Sequence, residues 1–309
     1  MVKYIRSIMK GLILMKNYLQ KAYCFDGTVR IYAAITTDIV QRLQKMHNLW
    51  PTSCAALGRT ITIGAIMSCT YKAGEHLTIK VIGDGPIGQI TVEATDGHVR
   101  GYVHNPGVYL SYNNGKLAVG QAVGAGYIEV IKNLHMRQPF SSTSELVSGE
   151  IAEDFTYYFA KSEQIPSSVG LGVLFDNDSN VKAAGGFLIQ IMPGCKEETL
   201  VKLEEKLANL KSCSKMIDEG YSALDMINEI TDGDYQPLEE KELDLYCPCS
   251  KERFSAGLKS LGVDELTSIL VEDKKASITC NFCNTTYEFD EAELQGLIDE
   301  IEQNKKATA

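Results

Sequence analysis

The stretch Cys247-Pro-Cys-Ser near the C-terminus is followed, thirty residues later, by Cys280-Asn-Phe-Cys. Four thiols in two close pairs, with no histidine among them, form the ligand set of a closed tetrahedral Zn²⁺ site. Zinc ribbons normally use C-x-x-C twice, whereas the first pair here is C-x-C. We predict that one Zn²⁺ per chain is bound by four residues: Cys247, Cys249, Cys280 and Cys283.

The residues around the four cysteines predict a small metal-dependent module. Leu245-Tyr246 and Ile278-Thr279 have the character of the short strands that lead into zinc knuckles, and Asn284 tolerates the positive φ usually needed there. About fifty residues bury little core, so bound metal has to supply much of the folding free energy. Spacing alone leaves open a purely structural role for the zinc.

Charge is concentrated at one end of the chain. Residues 231–309 carry 18 acidic and 8 basic side chains, which accounts for the whole formal charge of −10. Nucleic-acid binding depends on a Lys/Arg surface because phosphate contacts supply most of the affinity. Nucleic acid is therefore not expected to be the main partner.

The remaining cysteines and the hydropathy indicate a soluble protein in a reducing compartment. Five further cysteines are scattered, several in apolar stretches, as expected of reduced core thiols; they are Cys24, Cys54, Cys69, Cys195 and Cys213. From Met15 onward, no segment reaches the ~20 apolar residues of a membrane span. We expect a cytoplasmic protein without membrane attachment.

The N-terminal residues 1–14 resemble a short signal peptide, but Lys10 interrupts the apolar run and no small-residue cleavage site follows. We interpret them as an extension produced by a mis-assigned start, with Met15 as the true first residue.

The predicted fold class is α+β, with a mostly antiparallel α/β core domain at residues 15–195. Alternating strands at 76–82, 89–94 and 98–104 are separated by turn-type segments. Residues 53–72 are apolar nearly all round, as in a helix at the centre of a fold.

The remaining domains follow from changes in composition. We predict a helical segment at 196–231, an acidic linker at 232–245, a zinc module at 246–295 and a tail at 296–309. The tail is expected to be disordered from Gln303.

Catalytic patterns are missing, so no enzyme activity is predicted. Gly83-x-Gly-x-x-Gly88 matches a dinucleotide fingerprint as a string, but a strand follows it where the fingerprint needs a helix. Glu150, Glu153 and Asp154 are better explained as a solvated or capping face. The histidines form no metal or hydrolase motif; they are His47, His76, His98, His104 and His135.

Motifs along nearly the whole chain, from about Met15 to Leu297, resemble the 33 kDa chaperonin (heat-shock protein 33) family of bacterial redox-regulated holdases. They are Leu57-Gly-Arg-Thr60, Gly85-Pro-Ile-Gly88, Val147-Ser-Gly-Glu150, Asp154-Phe-Thr-Tyr-Tyr158, Ser162-Glu-Gln-Ile-Pro-Ser-Ser168, Ala184-Gly-Gly-Phe-Leu-Ile-Gln190, Cys247-Pro-Cys-Ser-Lys-Glu-Arg-Phe254 and Cys280-Asn-Phe-Cys283.

The resemblance implies that the four cysteines bind Zn²⁺ in a reduced, inactive state. On oxidation it implies the disulfides Cys247–Cys249 and Cys280–Cys283. It further implies a homodimer as the active form, with the helical segment after Pro193 packing across to the partner, and unfolding proteins as clients, held without ATP.

Two other functions remain open at this stage. One is a constitutive zinc-ribbon factor that binds protein or RNA, which the acidic charge disfavours. The other is a thiol–disulfide oxidoreductase. It is disfavoured because Cys280 and Cys283 lie between two strand-like runs and not between a strand and a helix.

Overall fold

The computed structural model describes residues 16–134 and 138–308, the last four by backbone alone. This part of the chain divides into two compact units, with the boundary between Tyr246 and Cys247. The proposed extension at 1–14, the start at Met15 and His135 lie outside the described residues.

The first unit contains strands β1 to β11 and helices α1 to α7. The strands are β1 (Tyr18–Cys24), β2 (Val29–Ile35), β3 (His76–Gly83), β4 (Gln89–Thr95), β5 (His98–Val103), β6 (Gly126–Asn133), β7 (Phe140–Glu145), β8 (Ser167–Phe175), β9 (Val181–Ile191), β10 (Tyr235–Glu242) and β11 (Asp244–Leu245). The helices are α1 (Thr37–His47), α2 (Pro51–Ser68), α3 (Val119–Val123), α4 (Ala152–Tyr158), α5 (Glu197–Ala208), α6 (Cys213–Asp218) and α7 (Ala223–Thr231). A π-helical turn, Phe159–Glu163, continues α4.

Two sheets organise this unit. Their strand orders are β10-β1-β2-β9-β8 and β11-β5-β4-β3-β6-β7. All pairings are antiparallel except that of the short β11 with β5. The predicted α+β class with mostly antiparallel strands is confirmed.

Helix α2 lies at the centre of the unit, as its all-round apolar sequence predicts. Between Thr52 and Ser68, every residue except Arg59 is buried. The helix packs on strands of both sheets, including β4, β8 and β9. It therefore supplies much of the main apolar core.

The helices α5, α6 and α7 cover the other face of the five-stranded sheet. Met216 and Ile227 from these helices are buried in one cluster with Ile31 and Phe187 from the sheet. The resemblance implies that this helical segment packs across to a partner. In the structure one face of the segment is buried on the sheet of its own chain, and packing across to a partner stays a prediction.

The segment predicted to be an acidic linker, 232–245, has regular structure instead. Most of it forms β10, the edge strand beside β1. Its glutamates meet lysines of the neighbouring segment: Glu240 lies 3.1 Å from Lys16, and Glu239 lies 2.8 Å from Lys21. Pro237 is tolerated because an edge strand needs only one row of ladder hydrogen bonds. The linker interpretation is therefore wrong about local structure.

The second unit contains the remaining elements. They are α8 (Lys251–Lys259), α9 (Val263–Glu272), β12 (Ala276–Thr279), β13 (Thr286–Phe289) and α10 (Glu291–Thr308). The prediction of a disordered tail from Gln303 is wrong, because α10 continues to Thr308. Leu294, Leu297 and Ile298 on this helix are buried against Phe289. These apolar contacts anchor a helix whose last turns are polar.

Candidate metal centre

The first cysteine pair lies in the extended segment just before α8. Ser250 caps this helix by accepting a hydrogen bond from the backbone N–H of Arg253, and the Arg253 guanidinium donates to the carbonyl of Pro248 at 2.9 Å. These two contacts fix the backbone between Cys247 and Cys249. The strand predicted to lead into this pair, β11, belongs to the first unit.

The second pair lies in the turn between β12 and β13. The backbone N–H of Cys280 donates to Thr285 at 2.9 Å, and that of Asn284 donates to Cys280 at 2.8 Å. Asn284 has φ +54°, which confirms the predicted positive φ. Cys280 and Cys283 thus sit in a tight turn held by backbone hydrogen bonds.

The four sulfur atoms converge on one point. All four Sγ atoms lie within 4.8 Å of one another. Cys247 Sγ is 3.8 Å from Cys280 Sγ, and Cys249 Sγ is 3.2 Å from Cys283 Sγ. Zinc–sulfur bonds of about 2.3 Å in a tetrahedron place sulfur atoms about 3.8 Å apart. The donor set therefore fits a tetrahedral, thiolate-preferring cation such as Zn²⁺.

The local environment shifts the pKa values of the thiols in different directions. Burial raises the pKa of Cys249 to about 12 and also raises the pKa of Cys280. Burial acts in the same direction on Cys283, but hydrogen bonds with Thr285 and with the neighbouring thiols outweigh it and lower its pKa to about 7. Four thiolates cannot share this space without a compensating cation, and a bound cation would deprotonate all four.

Sequence reasoning missed Tyr287, whose hydroxyl contacts the cluster. It lies 3.2 Å from both the sulfur and the carbonyl oxygen of Cys249. Its ring packs beside Phe254, with ring centroids 5.0 Å apart. The only sequence signal is the alternation of Thr286-Tyr-Glu-Phe289, which places Tyr287 and Phe289 on the same face of β13.

Of the five other cysteines, all but one are shielded from solvent. Four are buried, and Cys195 is half-buried. Burial raises the pKa of Cys24 and of Cys213 to about 12. Apart from the cluster, Cys195 is the cysteine with the most solvent contact in the described chain.

Several motifs that carry the family resemblance have structural roles in the first unit. Arg59 on α2 donates to the Glu150 carboxylate at 2.7 Å and to its carbonyl at 3.0 Å. Asp154 is fully buried and accepts four backbone N–H groups, from Val147, Ser148, Gly149 and Ile151. The predicted capping role of Asp154 is therefore confirmed, whereas the alternative that it lies on a solvated helix face is not.

The fold and the site define a two-unit α+β protein with a C-terminal four-cysteine cluster that fits a metal ion. The profile of the family described as "Hsp33 protein" matches residues 17–290. A 33 kDa chaperonin of Bacillus cytotoxicus is 48% identical and one of Bacillus subtilis is 45% identical. The alignments cover 93% and 92% of this chain and 100% and 99% of those proteins. This chain belongs to the Hsp33 family of chaperones.

A solved structure supports the same assignment. The crystal structure of the 33 kDa chaperonin (heat shock protein 33 homolog) from Thermotoga maritima superposes with a TM-score of 0.86 at 35% identity. It covers 92% of this chain and 98% of the other. Family membership places the chain among the chaperones. No helix within 16–134 or 138–308 is long and apolar enough to cross a bilayer.

Proposed function

We propose that this chain is a redox-regulated, ATP-independent holdase. In the reduced state, Cys247, Cys249, Cys280 and Cys283 bind one Zn²⁺ and the protein is inactive. Oxidation activates it to bind unfolding proteins and prevent their aggregation during oxidative or heat stress. The observation that carries the proposal is the convergence of the four sulfur atoms within 4.8 Å.

Zn²⁺ would supply charge neutralisation, keeping four thiols as thiolates inside a small folded unit. The rest of the second unit is held by a modest core. Six buried apolar side chains form its centre, namely Leu258, Leu266, Phe289, Leu294, Leu297 and Ile298. A core of this size folds marginally by itself, so the folded unit would depend on the metal centre.

The oxidant would act on the thiolates in two steps. One thiolate attacks a peroxide oxygen, the O–O bond breaks, and a sulfenic acid and hydroxide form. A second thiolate attacks the sulfenic sulfur and releases another hydroxide, leaving a disulfide. With two protons taken up, the net reaction converts two thiolates and one hydrogen peroxide into one disulfide and two waters.

We propose the pairs Cys247–Cys249 and Cys280–Cys283 as the products. Each disulfide removes two metal donors, so the second unit loses its main source of folding free energy. Its unfolding would release apolar surface for clients. Disulfides prefer Cα atoms about 4.4–6.8 Å apart, so a disulfide between Cys247 and Cys249, only two residues apart, is geometrically tight. A strained disulfide of this kind is easily reduced again. That reversibility suits a switch.

The partners and location that we propose follow from the family. The active form is a homodimer in the bacterial cytoplasm, with no membrane or nucleic acid as a main partner. Residues 231–309 carry the chain's entire excess of negative charge, which would help keep a partly unfolded protein soluble.

The test is light scattering from a thermally unfolding client. The protein is added either reduced and zinc-loaded or after treatment with peroxide at elevated temperature. Suppression of scattering only by the oxidised sample is expected. Equal suppression in both states, or none in either, would show that the zinc is structural and that the chain acts as a constitutive interaction factor.

Matched cysteine variants sharpen the test. Cys280→Ser removes one metal donor and one member of a proposed disulfide, so it should abolish the difference between the two states. Cys195→Ser removes a half-buried thiol outside the cluster and should leave the difference unchanged. Mass spectrometry of the alkylated oxidised protein assigns the disulfide pairs.

A further inference from the structure

A cleft of about 390 Å³ in the first unit contains polar groups that have no partner. It lies between the end of β9 and the segment that follows the π-helical turn. Arg30 and Gln190 provide the polar lining, and Ile165, Ile191 and Met192 contribute to apolar walls. All its lining residues belong to the first unit, so its chemistry is independent of the four cysteines.

Arg30 lies on β2, directly opposite Tyr23 on β1 and Gln190 on β9. Its guanidinium carbon is 5.5 Å from the centroid of the Tyr23 ring. The Nε atom is buried and has no hydrogen-bond partner, and Arg30 forms no ion pair within 16–134 or 138–308. An unpaired, half-buried cation is costly unless an anion balances it.

Gln190, the residue opposite Arg30 on β9, adds a second group without a hydrogen-bond partner. The residue is 8% exposed, and its side-chain amide, which makes no hydrogen bond to a described residue, is open to solvent in the cleft. A side-chain amide has two N–H donors and a carbonyl acceptor, and those of Gln190 are available to a ligand in the cleft. The Gln190 amide and the Arg30 guanidinium therefore line one cleft with unused hydrogen-bond donors.

The cleft has no acidic lining residue. A carboxylate matches a single guanidinium in charge and accepts from both Arg30 and Gln190. The walls of isoleucine, methionine and proline favour an apolar body attached to that carboxylate. We propose that this cleft binds a carboxylate carried on an apolar chain.

Two sources share this chemistry: a free aliphatic acid and the C-terminus of an apolar peptide. Octanoate represents the first, and the tripeptide acetyl-Leu-Leu-Leu with a free carboxylate represents the second. Octan-1-ol and the C-terminal amide of the same peptide are the uncharged controls. Comparing the two acids identifies the source, and comparing each acid with its control tests the carboxylate.

The measurement is a methyl NMR titration of the full-length, reduced, zinc-loaded protein labelled at isoleucine and methionine methyl groups. Saturable shifts are expected for Ile165, Ile191 and Met192 on addition of an acid. Ile269 and Ile278 in the second unit serve as internal controls and should not move.

Arg30→Met and Gln190→Met remove the proposed donors while keeping similar side-chain volume. Each should weaken binding of the acid, Arg30→Met by about tenfold or more because charge-assisted hydrogen bonds are strong. Arg42→Met removes an arginine that pairs with Asp244 outside the cleft and should leave binding unchanged. Unperturbed methyl spectra of the free variants establish that they fold.

Shifts of the same size with the uncharged controls would overturn the proposal, because the cleft would then recognise only apolar groups. Equal affinity of wild type and a folded Arg30→Met would overturn it as well. Absence of saturable shifts with both acids has the same consequence.

Discussion

At the scale of single residues, Tyr287 shows how an outer group can stabilise the metal centre. Its hydroxyl lies 3.2 Å from Cys249 Sγ and from the Cys249 carbonyl. Hydrogen bonds from outer residues orient metal ligands, and losing one typically costs 10–100-fold in affinity or activity. We therefore expect Tyr287 to support metal binding at the candidate centre, although it is not one of the four predicted ligands.

We predict that Tyr287→Phe weakens retention of Zn²⁺ by about tenfold while the fold of the loaded protein is kept. Competition with a chromogenic chelator measures the affinity. Tyr109→Phe, which changes an exposed tyrosine in the first unit, is the control. Identical zinc affinity in wild type and Tyr287→Phe would show that the contact has no effect on the centre.

Asp154 has the opposite kind of role, because it supports only the fold. Its carboxylate accepts hydrogen bonds from four backbone N–H groups within residues 147–151. Asp154→Ala leaves these buried donors without a partner, so we expect a loss of roughly 3 kcal/mol or more in the free energy of unfolding. Urea denaturation checks this. Asp178→Ala, at an exposed loop position, should change stability little, and a similarly small loss for Asp154→Ala would contradict the prediction.

At the scale of elements, the pair Arg59–Glu150 joins α2 to the loop before α4. Burial would raise the pKa of Glu150, but the hydrogen bond and charge of Arg59, together with the N–H of Gly120, outweigh it and lower the pKa. A carboxylate whose pKa is lower in the folded state stabilises the fold above its unfolded pKa of about 4.3. That contribution is lost as the pH falls through the lower, folded value.

We therefore predict that Glu150→Gln has a lower free energy of unfolding than wild type at pH 7. The difference between the two proteins should become smaller below about pH 4.3. Urea midpoints measured from pH 7 to pH 3 give the comparison. Glu288→Gln, an exposed position on β13, should follow the wild-type pH profile. A constant difference between Glu150→Gln and wild type at all pH values would mean that the carboxylate charge has no part in the link.

Elements with strong local patterns could be predicted from the sequence, and those stabilised by tertiary contacts could not. The all-apolar run of α2 and the alternation of β3, β4 and β5 correspond to buried elements in the structure. The acidic segment with Pro237 resembles a linker because its lysine partners are more than two hundred residues away. The sequence around the acidic segment does not indicate that its glutamates pair with these distant lysines.

The four-cysteine cluster was predictable for a similar reason. Cysteine is rare, so two close pairs pick out the four candidate ligands, which the structure brings together, without any knowledge of the fold. Tyr287 was not predictable, because a tyrosine in an alternating strand has the same sequence signature whether or not a thiol lies beside it. The cleft at Arg30 and Gln190 depends on three strands in register, which no local pattern reveals.

At the scale of the whole molecule, the two units differ in what holds them together. The first has extensive apolar clusters around α2 and the five-stranded sheet. The second has a small core and four thiols, two of which have raised pKa values. Metal removal should therefore act on the two units unequally.

We predict that removing the metal unfolds the second unit and leaves the first folded. Zinc contributes roughly 10–16 kcal/mol in small zinc domains, which is as large as the whole stability of a typical domain, roughly 5–15 kcal/mol. Hydrogen exchange with mass spectrometry, with and without chelator, should show lost protection in α8, α9 and α10 and unchanged protection in α2. Cys280→Ser should reproduce this pattern without chelator, whereas Cys195→Ser should not. Retained protection of α10 in the metal-free protein would mean that the core around Leu294 and Phe289 suffices for folding, and metal loss could not then be the trigger of the proposed switch.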